Sequence, residues 1–379
     1  DVNYVTAPDV YTRICEGGLC GPHAYTGVPD TLHVSNGDGT FTLLPDATPK
    51  SDAKGLGVIA AVIDDPKRPS LFVANDAVPN FLLKSHPSAE PANLRFVDNG
   101  MLAGVAANGE GSVTGTMGIA ADDIDRNGLI DFFVTNFVSE SNSLYLQDVP
   151  GLFIDATYPS KLHAPSLTKV AWGTQFIDAD LDGDADLVIV NGHVDDYQKD
   201  EQGYQMPPQF FRNNGRSEFT EVPSKELGPW FDRRFLGRGL ARIDYNNDGR
   251  MDFVASIVGD PASLLENQTA SVGGYLTLRL TASKTARDAI GTQVDVTTAS
   301  GAWTKQLTAG DGYMASNQRI LQFGLGRAEE VSEVSIRWPS GEASTIRGVA
   351  ANSHLQVTEG IPSATITSQS ASWAGSIRV

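Results

Sequence analysis

Short apolar runs rich in Val, Ile, Leu and Phe recur along the chain, each bounded by Gly, Asn, Asp or Pro. Helical periodicity is nearly absent, so the pattern predicts an all-β protein. Only 223-PSKELGPWFDRRF-235 reads as a short helix. Over residues 274 to 360 the pattern changes to strict alternation. The strand candidates there are 275-YLTLRLTA-282, 293-QVDVTTA-299, 303-WTKQLTA-309, 319-RILQFGL-325, 331-VSEVSIRW-338 and 354-HLQVTE-359. Such alternation predicts a separate small β-sandwich or barrel. Residues 361–379, rich in Ser, Thr and Ala, read as a tail or an edge strand. The expected division is therefore 1–270, 271–360 and 361–379.

The first of these segments contains an internal repeat. Three acid loops, 123-DIDRNGLID-131, 178-DADLDGDAD-186 and 244-DYNNDGRMD-252, begin 55 and 66 residues apart (123 to 178, 178 to 244). Gly118, Gly173 and Gly239 stand five residues ahead of them. The apolar strands 132-FFVTN-136, 187-LVIVN-191 and 253-FVASI-257 follow directly. A second element comes after a gap, as 142-NSLYL-146, 209-QFFRNNGRSEF-219 and 263-SLLEN-267, with earlier copies at 30-DTLHVSNGDGTF-41 and 79-PNFLL-83. Repeats of this length made of short strands predict propeller blades, each a small antiparallel sheet.

The second loop crowds five aspartates into residues 178–186, directly before a strand that must be buried. Loop positions 1, 3, 5 and 9 carry side-chain oxygens, and position 6 is a glycine where a sharp turn must form. The candidate ligands are Asp123, Asp125, Asn127 and Asp131; Asp178, Asp180, Asp182 and Asp186; and Asp244, Asn246, Asp248 and Asp252. Without a cation, carboxylates so close would repel and several would stay protonated. A hard cation taking six to eight oxygens at about 2.3–2.6 Å fits, which points to Ca²⁺ at about three sites. An EF-hand shares the opening but ends in Glu at position 12 between helices; here position 12 is Val134, Ile189 or Ala255, inside a strand. The competing readings are acidic turns without an ion and a catalytic Mg²⁺ site. A fourth loop, 64-DDPKRPSLFVAND-76, keeps Asp64 but has lost the later ligands, and reads as the same turn with its ion site gone.

Composition narrows the partners. Asp and Glu outnumber Lys and Arg by 46 to 28, a net charge of -18, which excludes a phosphate-backbone binder and accords with cation binding. No apolar run is long enough to span a membrane, and no signal peptide is visible. The only cysteines, in 15-CEGGLC-20, read as a local Cys15–Cys20 disulfide in an oxidised compartment, with two buried thiols as the alternative. Half a zinc site lacks a second pair at ligand spacing. His193 reads as a loop-rim hydrogen bonder with ligand binding or catalysis as its alternative, and His23 and His163 as surface or core histidines. Trp172 is expected to pack between blades rather than stack on a sugar, and Trp338 to be core before a turn. The insert 194-VDDYQKDEQGYQMPPQ-209 is the best place for a partner contact. No nucleophile elbow, P-loop, dinucleotide fingerprint or Ser-His-Asp pattern occurs.

The acid loops together with 36-NGDGTF-41 and 211-FRNNGRSEF-219 resemble FG-GAP/VCBS repeats, the blades of integrin-α-type propellers. The segments 287-RDAIGTQVDV-296, 310-GDGYMASNQ-318, 323-FGLG-326, 334-VSIRWPSG-341 and 352-NSHLQVTEG-360 resemble the ASPIC/UnbV domain. In combination the chain is similar to the cartilage acidic protein 1 family and its bacterial relatives, from about residue 30 to 360. The resemblance implies calcium held by the loops above and a secreted, extracellular or periplasmic envelope location. Propellers of this type have seven blades, whereas residues 1–267 supply four and a half repeats, and 1-DVNYV-5 resembles the strand after an acid loop. The blades are therefore expected to be incomplete at the N-terminus, as an open arc. The expected function is a calcium-stabilised module, without catalysis, that binds a protein or glycan or joins an envelope assembly. The alternative is a lyase- or cyclase-type enzyme with a pocket on the propeller face, by fold analogy alone.

Overall fold

The computed structural model describes residues 20–51, 53–85, 94–196, 203–270, 272–362 and 364–368. A hairpin of β1 (Leu32–Ser35) and β2 (Phe41–Leu44) comes first. Three four-stranded antiparallel meanders follow: β3 (Gly55–Ala61), β4 (Ser70–Asn75), β5 (Phe81–Ser85), β6 (Phe96–Asp98); then β7 (Ile119–Asp122), β8 (Asp131–Val134), β9 (Ser143–Val149), β10 (Leu152–Asp155); then β11 (Ala171–Ile177), β12 (Asp186–Asn191), β13 (Gln209–Asn213), β14 (Phe219–Glu221). A three-stranded sheet of β15 (Gly237–Ile243), β16 (Asp252–Ile257) and β17 (Asp260–Leu265) closes the series. The protein is all-β as expected. Among the described residues the sheets form no closed ring.

The sheets stack face to face, which explains the continuous apolar runs. Successive strand residues point to opposite faces, and a sheet covered on both sides needs apolar residues at every position. Phe132 on β8 stacks between Phe72 of the first meander and Phe153, with ring centroids 5.0 and 5.3 Å away. Its neighbour Phe133 points the other way, to Phe176 of the third meander. Phe210, Phe231 and Phe253 fill the next gap.

The inner strands approach through glycine. A Cβ on Gly57 would lie 2.6 Å from the Met117 carbonyl oxygen, and one on Gly173 would lie 2.6 Å from that of Arg238. A Cβ on Gly118 would overlap the Trp172 carbonyl oxygen. Each glycine thus meets the residue just before the glycine of the next sheet. The glycines recognised as a repeat mark are where one inner strand crosses close to the next. Gly239 meets no further sheet among the described residues; a Cβ built on it would lie 3.1 Å from the Tyr313 carbonyl oxygen.

Tyr313 belongs to the C-terminal domain. That domain pairs two sheets, one ordered β21 (Leu321–Gly326), β18 (Gly274–Thr281), β24 (Ser353–Thr358), β25 (Thr365–Ser368), the other β20 (Ala302–Gln306), β19 (Gln293–Thr298), β22 (Glu330–Arg337), β23 (Ala343–Ala350). Leu276, Leu278, Val294, Val296, Phe323 and Trp338 fill the space between them. The β20–β21 loop leaves this sandwich and runs across the inner strand of every preceding sheet. Ala60 on β3 donates to the Ala309 carbonyl at 2.8 Å. Ile119 on β7 and Gly312 exchange backbone hydrogen bonds of 3.1 and 2.5 Å. Asn317 Nδ2 donates to Gln175 Oε1 on β11 at 2.9 Å, and Gln318 N to the Arg242 carbonyl on β15 at 3.1 Å.

The differences from expectation are local. The expected strand 303–309 ends at Gln306; Leu307 still bonds Gly291 and Thr292 in the sandwich, and at Ala309 the backbone pairs with Ala60 of the first inner strand. β23 escaped notice: its burial alternates only weakly, with Val349 the one buried position. Within 223–235 only Ser224–Leu227 (α3) is helical. Two further single turns, α1 (Gly100–Ala103) and α2 (His163–Ser166), occupy connections too short for a periodic pattern. The N-terminal segment 1-DVNYV-5 lies outside the described residues.

Because the Gly118 contact is backbone against backbone, Gly118→Ala should destabilise the protein by at least about 2 kcal/mol. Chemical denaturation checks this, and a variant as stable as the parent would contradict the close crossing.

Candidate metal centre

Each acid loop joins the first and second strands of its sheet, and the three are built alike. Position 4 is left-handed in each, at Arg126 (φ 61), Leu181 (φ 59) and Asn247 (φ 55), and so is the position 6 glycine, Gly128, Gly183 or Gly249 (φ 85, 94, 84). The glycine turn was expected; the non-glycine left-handed residue two places earlier was not. Asp or Asn side chains that accept from the backbone two residues on make such turns tolerable.

The aspartates at positions 1 and 9 are the straps. Asp123, Asp178 and Asp244 accept the position 5 amide at 3.1 Å in all three loops, and the position 6 amide at 3.0, 2.9 and 3.0 Å. Asp131 accepts from Ile124 and Gln147, Asp186 from Ala179 and Asn213, and Asp252 from Tyr245 and Asn267. The position 9 carboxylate thus ties the loop to the next strand, a role the spacing did not disclose.

Two of the loops gather acid groups tightly enough for a metal ion. In the first, one oxygen each of Asp123, Asp125 and Asp131 lies within 4.8 Å of the others; in the second the same holds for Asp178, Asp180 and Asp182. Asn127 turns its Oδ1 to Leu129 N at 2.8 Å and its Nδ2 to the Gln147 carbonyl at 2.7 Å. The third loop differs. Its position 3 is Asn246, and Arg250 caps Asp248, with Nε 2.9 Å from Oδ2 and Nη2 on the same oxygen. The fourth loop carries its own cation: Lys84 Nζ sits 2.8 Å from Asp64 Oδ2.

Burial makes the charge costly. It lifts Asp131 to about 8 and Asp123 and Asp186 to about 7; Asp122 and then Asp125 push Asp123 further, and Asp125 and Asp123 do the same to Asp131. Asp178 is driven well above the ordinary range by burial and then by Asp182. Asp244 and Asp252 rise less, to about 6, again mainly through burial. Burial also acts on Asp248, but the Arg250 hydrogen bonds and charge prevail and hold it low. An oxygen-only donor set whose charge is only partly offset in two loops, by Lys305 at Asp122 and Arg126 at Asp184, suits a hard divalent cation. Where the chain supplies Lys84 or Arg250, the demand is partly met.

The other candidates are structural. Trp172 packs with Met117, Val170, Met206 and Tyr313 and donates Nε1 to the Gly192 carbonyl at 2.7 Å. His193 is buried rather than on a rim, with Nδ1 accepting from Val194 N at 3.0 Å and its ring edge-on to Phe137. His163 stacks on Tyr158 at 4.0 Å, His23 is exposed, and Trp338 is core before a turn closed by Gly341 N. Cys20 is disulfide-bonded; Cys15 lies outside the described residues, as do 197–202 of the 194–209 insert. No helix among the described residues is long and apolar enough to cross a membrane.

Comparison with known proteins places these features. Residues 282–364 match the family model for ASPIC and UnbV. The chain is 26% identical over 349 residues to cartilage acidic protein 1 of Xenopus tropicalis, covering 88% of this chain and 49% of that protein. Its counterparts in Mus musculus and Homo sapiens are each 27% identical, covering 80% of this chain and 45% and 44% of theirs. The chain spans about half the length of these relatives. The ASPIC/UnbV resemblance drawn from the C-terminal motifs, and the similarity to cartilage acidic protein 1, are thereby shown. Among solved structures, a mutant of AofleA from Arthrobotrys oligospora covers 90% of this chain at 8% identity and a TM-score of 0.31, too low to carry an argument.

Two outcomes follow from the loop electrostatics. Folded-state values near 7 and 8, against an ordinary aspartate value of about 4, mean that the metal-free fold holds protons which the unfolded chain releases. Metal-free stability should therefore fall as pH rises from about 5 to about 8, and saturating divalent cation should remove that fall. Melting curves at both ends check it; a flat metal-free profile would count against it. Separately, Arg250→Ala should strengthen cation binding at the third loop by roughly tenfold, read by calorimetric titration, whereas unchanged affinity would show that Arg250 does not compete.

Proposed function

We propose that this chain, which carries an ASPIC and UnbV domain and is similar along most of its length to cartilage acidic protein 1, is a calcium-stabilised β-propeller-type module. It acts outside the cytosol, extracellularly or in the periplasm, and binds a protein or glycan partner without catalysing a reaction. The observation that carries the reading is the recurrence of one loop geometry at equivalent joints of successive sheets, with a lysine ammonium at the joint that has lost its ligands. A loop geometry repeated from sheet to sheet suits a scaffold; a reaction centre needs one asymmetric site.

Further features support it. The successive four-stranded antiparallel meanders, packed on one another, accord with blades of a propeller type. Oxygen donors in a flexible loop favour Ca²⁺ over Mg²⁺, and loops of this kind fill at roughly 10⁻⁴–10⁻³ M, as calcium is outside cells. The disulfide at Cys20 accords with an oxidising compartment. For a partner, Met101 and Leu102 on α1 and Leu152 and Ile154 on neighbouring β10 hold their side chains in solvent, 72%, 79%, 50% and 55% exposed.

Titration of the metal-free protein with CaCl₂ should give two principal sites, assigned to Asp123–Asp131 and Asp178–Asp186, and chelation should lower the melting temperature. Asp178→Asn should abolish one of the two. A melt indifferent to EDTA, together with no binding heat at millimolar calcium, would remove the calcium reading.

A further inference from the structure

The C-terminal domain sits on the acid loops. Lys305 on β20 pairs with Asp122, the residue before the first loop, and Thr304 is the neighbour of Gly128. On the second loop, the Trp303 ring lies against Gly183, and Arg126 of the first loop stacks over that ring at 5.5 Å while pairing with Asp184. Gly324 of β21 packs against the Asp178 carboxylate so closely that a Cβ there would overlap Oδ2. Gly273 N donates to the Asp180 carbonyl at 2.8 Å and Gly326 N to the Leu181 carbonyl at 2.9 Å. On the third loop, the Tyr275 ring covers Gly249, and Gln322 Nε2 donates to the Gly249 carbonyl at 2.6 Å. The position 6 glycine of every acid loop therefore faces a residue of this one domain.

This arrangement sets two demands against each other. Docking takes water away from carboxylates whose charge Lys305 at Asp122 and Arg126 at Asp184 offset only in part; Asp178 is only 4% exposed beneath Gly324. Burying unpaired charge opposes the contact. A cavity of about 40 Å³ between the two domains, lined by Asp122, Asp123, Asp178, Lys305, Gln306 and Gln322 among others, has room for ordered water but not for bulk solvent. Trp303, 8% exposed, has no hydrogen-bond partner for its indole N–H, which points at the second loop. A donor so placed lacks an acceptor that water bound to a loop cation would supply.

We propose that cation occupancy of the first two acid loops latches the C-terminal domain onto the stacked sheets, so that calcium and domain docking strengthen each other. The inference rests on the calcium reading above and adds a consequence to it. Calcium cancels the buried charge that opposes docking. The docked domain in turn fixes the position 6 turn that shapes the cage. By reciprocity the two effects are equal in free energy. The latch strands are β20 and β21, which contact the loops; β22 and β23 lie beyond β19 in the order of their sheet.

Hydrogen exchange on the full chain tests this, with calcium binding measured in parallel by calorimetry. Adding CaCl₂ to the metal-free protein should slow exchange in 302–306 and 321–326 by roughly tenfold or more, with much less effect in 330–337 and 343–350. Trp303→Ala should weaken calcium binding at the second loop severalfold, although Trp303 is not among the carboxylates that form the cage. If calcium binds but slows exchange uniformly or not at all, the latch is wrong and the calcium reading stands. If no calcium binds to the folded protein, both fall.

Discussion

Carboxylate charge held out of water is the constraint on which the rest of this structure depends. Stacking sheets face to face largely buries the first and ninth positions of the turns between their first two strands, while Asp125 and Asp182 stay exposed, and in three sheets those buried positions are aspartates. The aspartates are needed for the turn itself, since Asp123, Asp178 and Asp244 each accept the position 5 and 6 amides and the position 9 residues strap the loop to the next strand. What shapes the backbone therefore creates a charge that must be cancelled. The chain answers in graded fashion: Lys84 at Asp64, Arg250 partly at Asp248, and acid clusters fit for an external cation at the other two.

The C-terminal domain is part of the same solution rather than an appendage. Its β20–β21 loop runs along the inner strands of all four sheets and meets Gly239 through the Tyr313 carbonyl. Its strands β20 and β21 cover the acid loops. The region that carries the ASPIC and UnbV match is thus also the region whose loop bonds to the inner strands of all four sheets.

Much of this was legible in the sequence. The acid loops declared themselves by composition and spacing, because a hard cation needs oxygen donors at alternate positions and a glycine at the turn. The all-β class followed from short apolar runs, and Gly118 and Gly173 were visible as a repeat mark although their purpose, a carbonyl crossing at van der Waals distance, was not. What stayed hidden has a common cause: it depends on residues far apart in the chain. Nothing local to Trp303 or Gly324 says that it will rest on a loop more than a hundred residues earlier. The strapping role of Asp131, Asp186 and Asp252 needs the third strand of the sheet. Arg250 reads as an ordinary loop residue until its guanidinium is seen on Asp248. β23 failed as a strand by pattern because pairing with β22, not burial, holds it.

The central claim is that divalent metal resides within the turns at Asp123–Asp131 and Asp178–Asp186. Anomalous diffraction from crystals grown in millimolar calcium tests it most directly. A peak inside each of these two turns, ringed by carboxylate oxygens at about 2.3–2.6 Å, is the predicted result. Vacant turns under that condition, or aspartates swung outward to solvent, would contradict it.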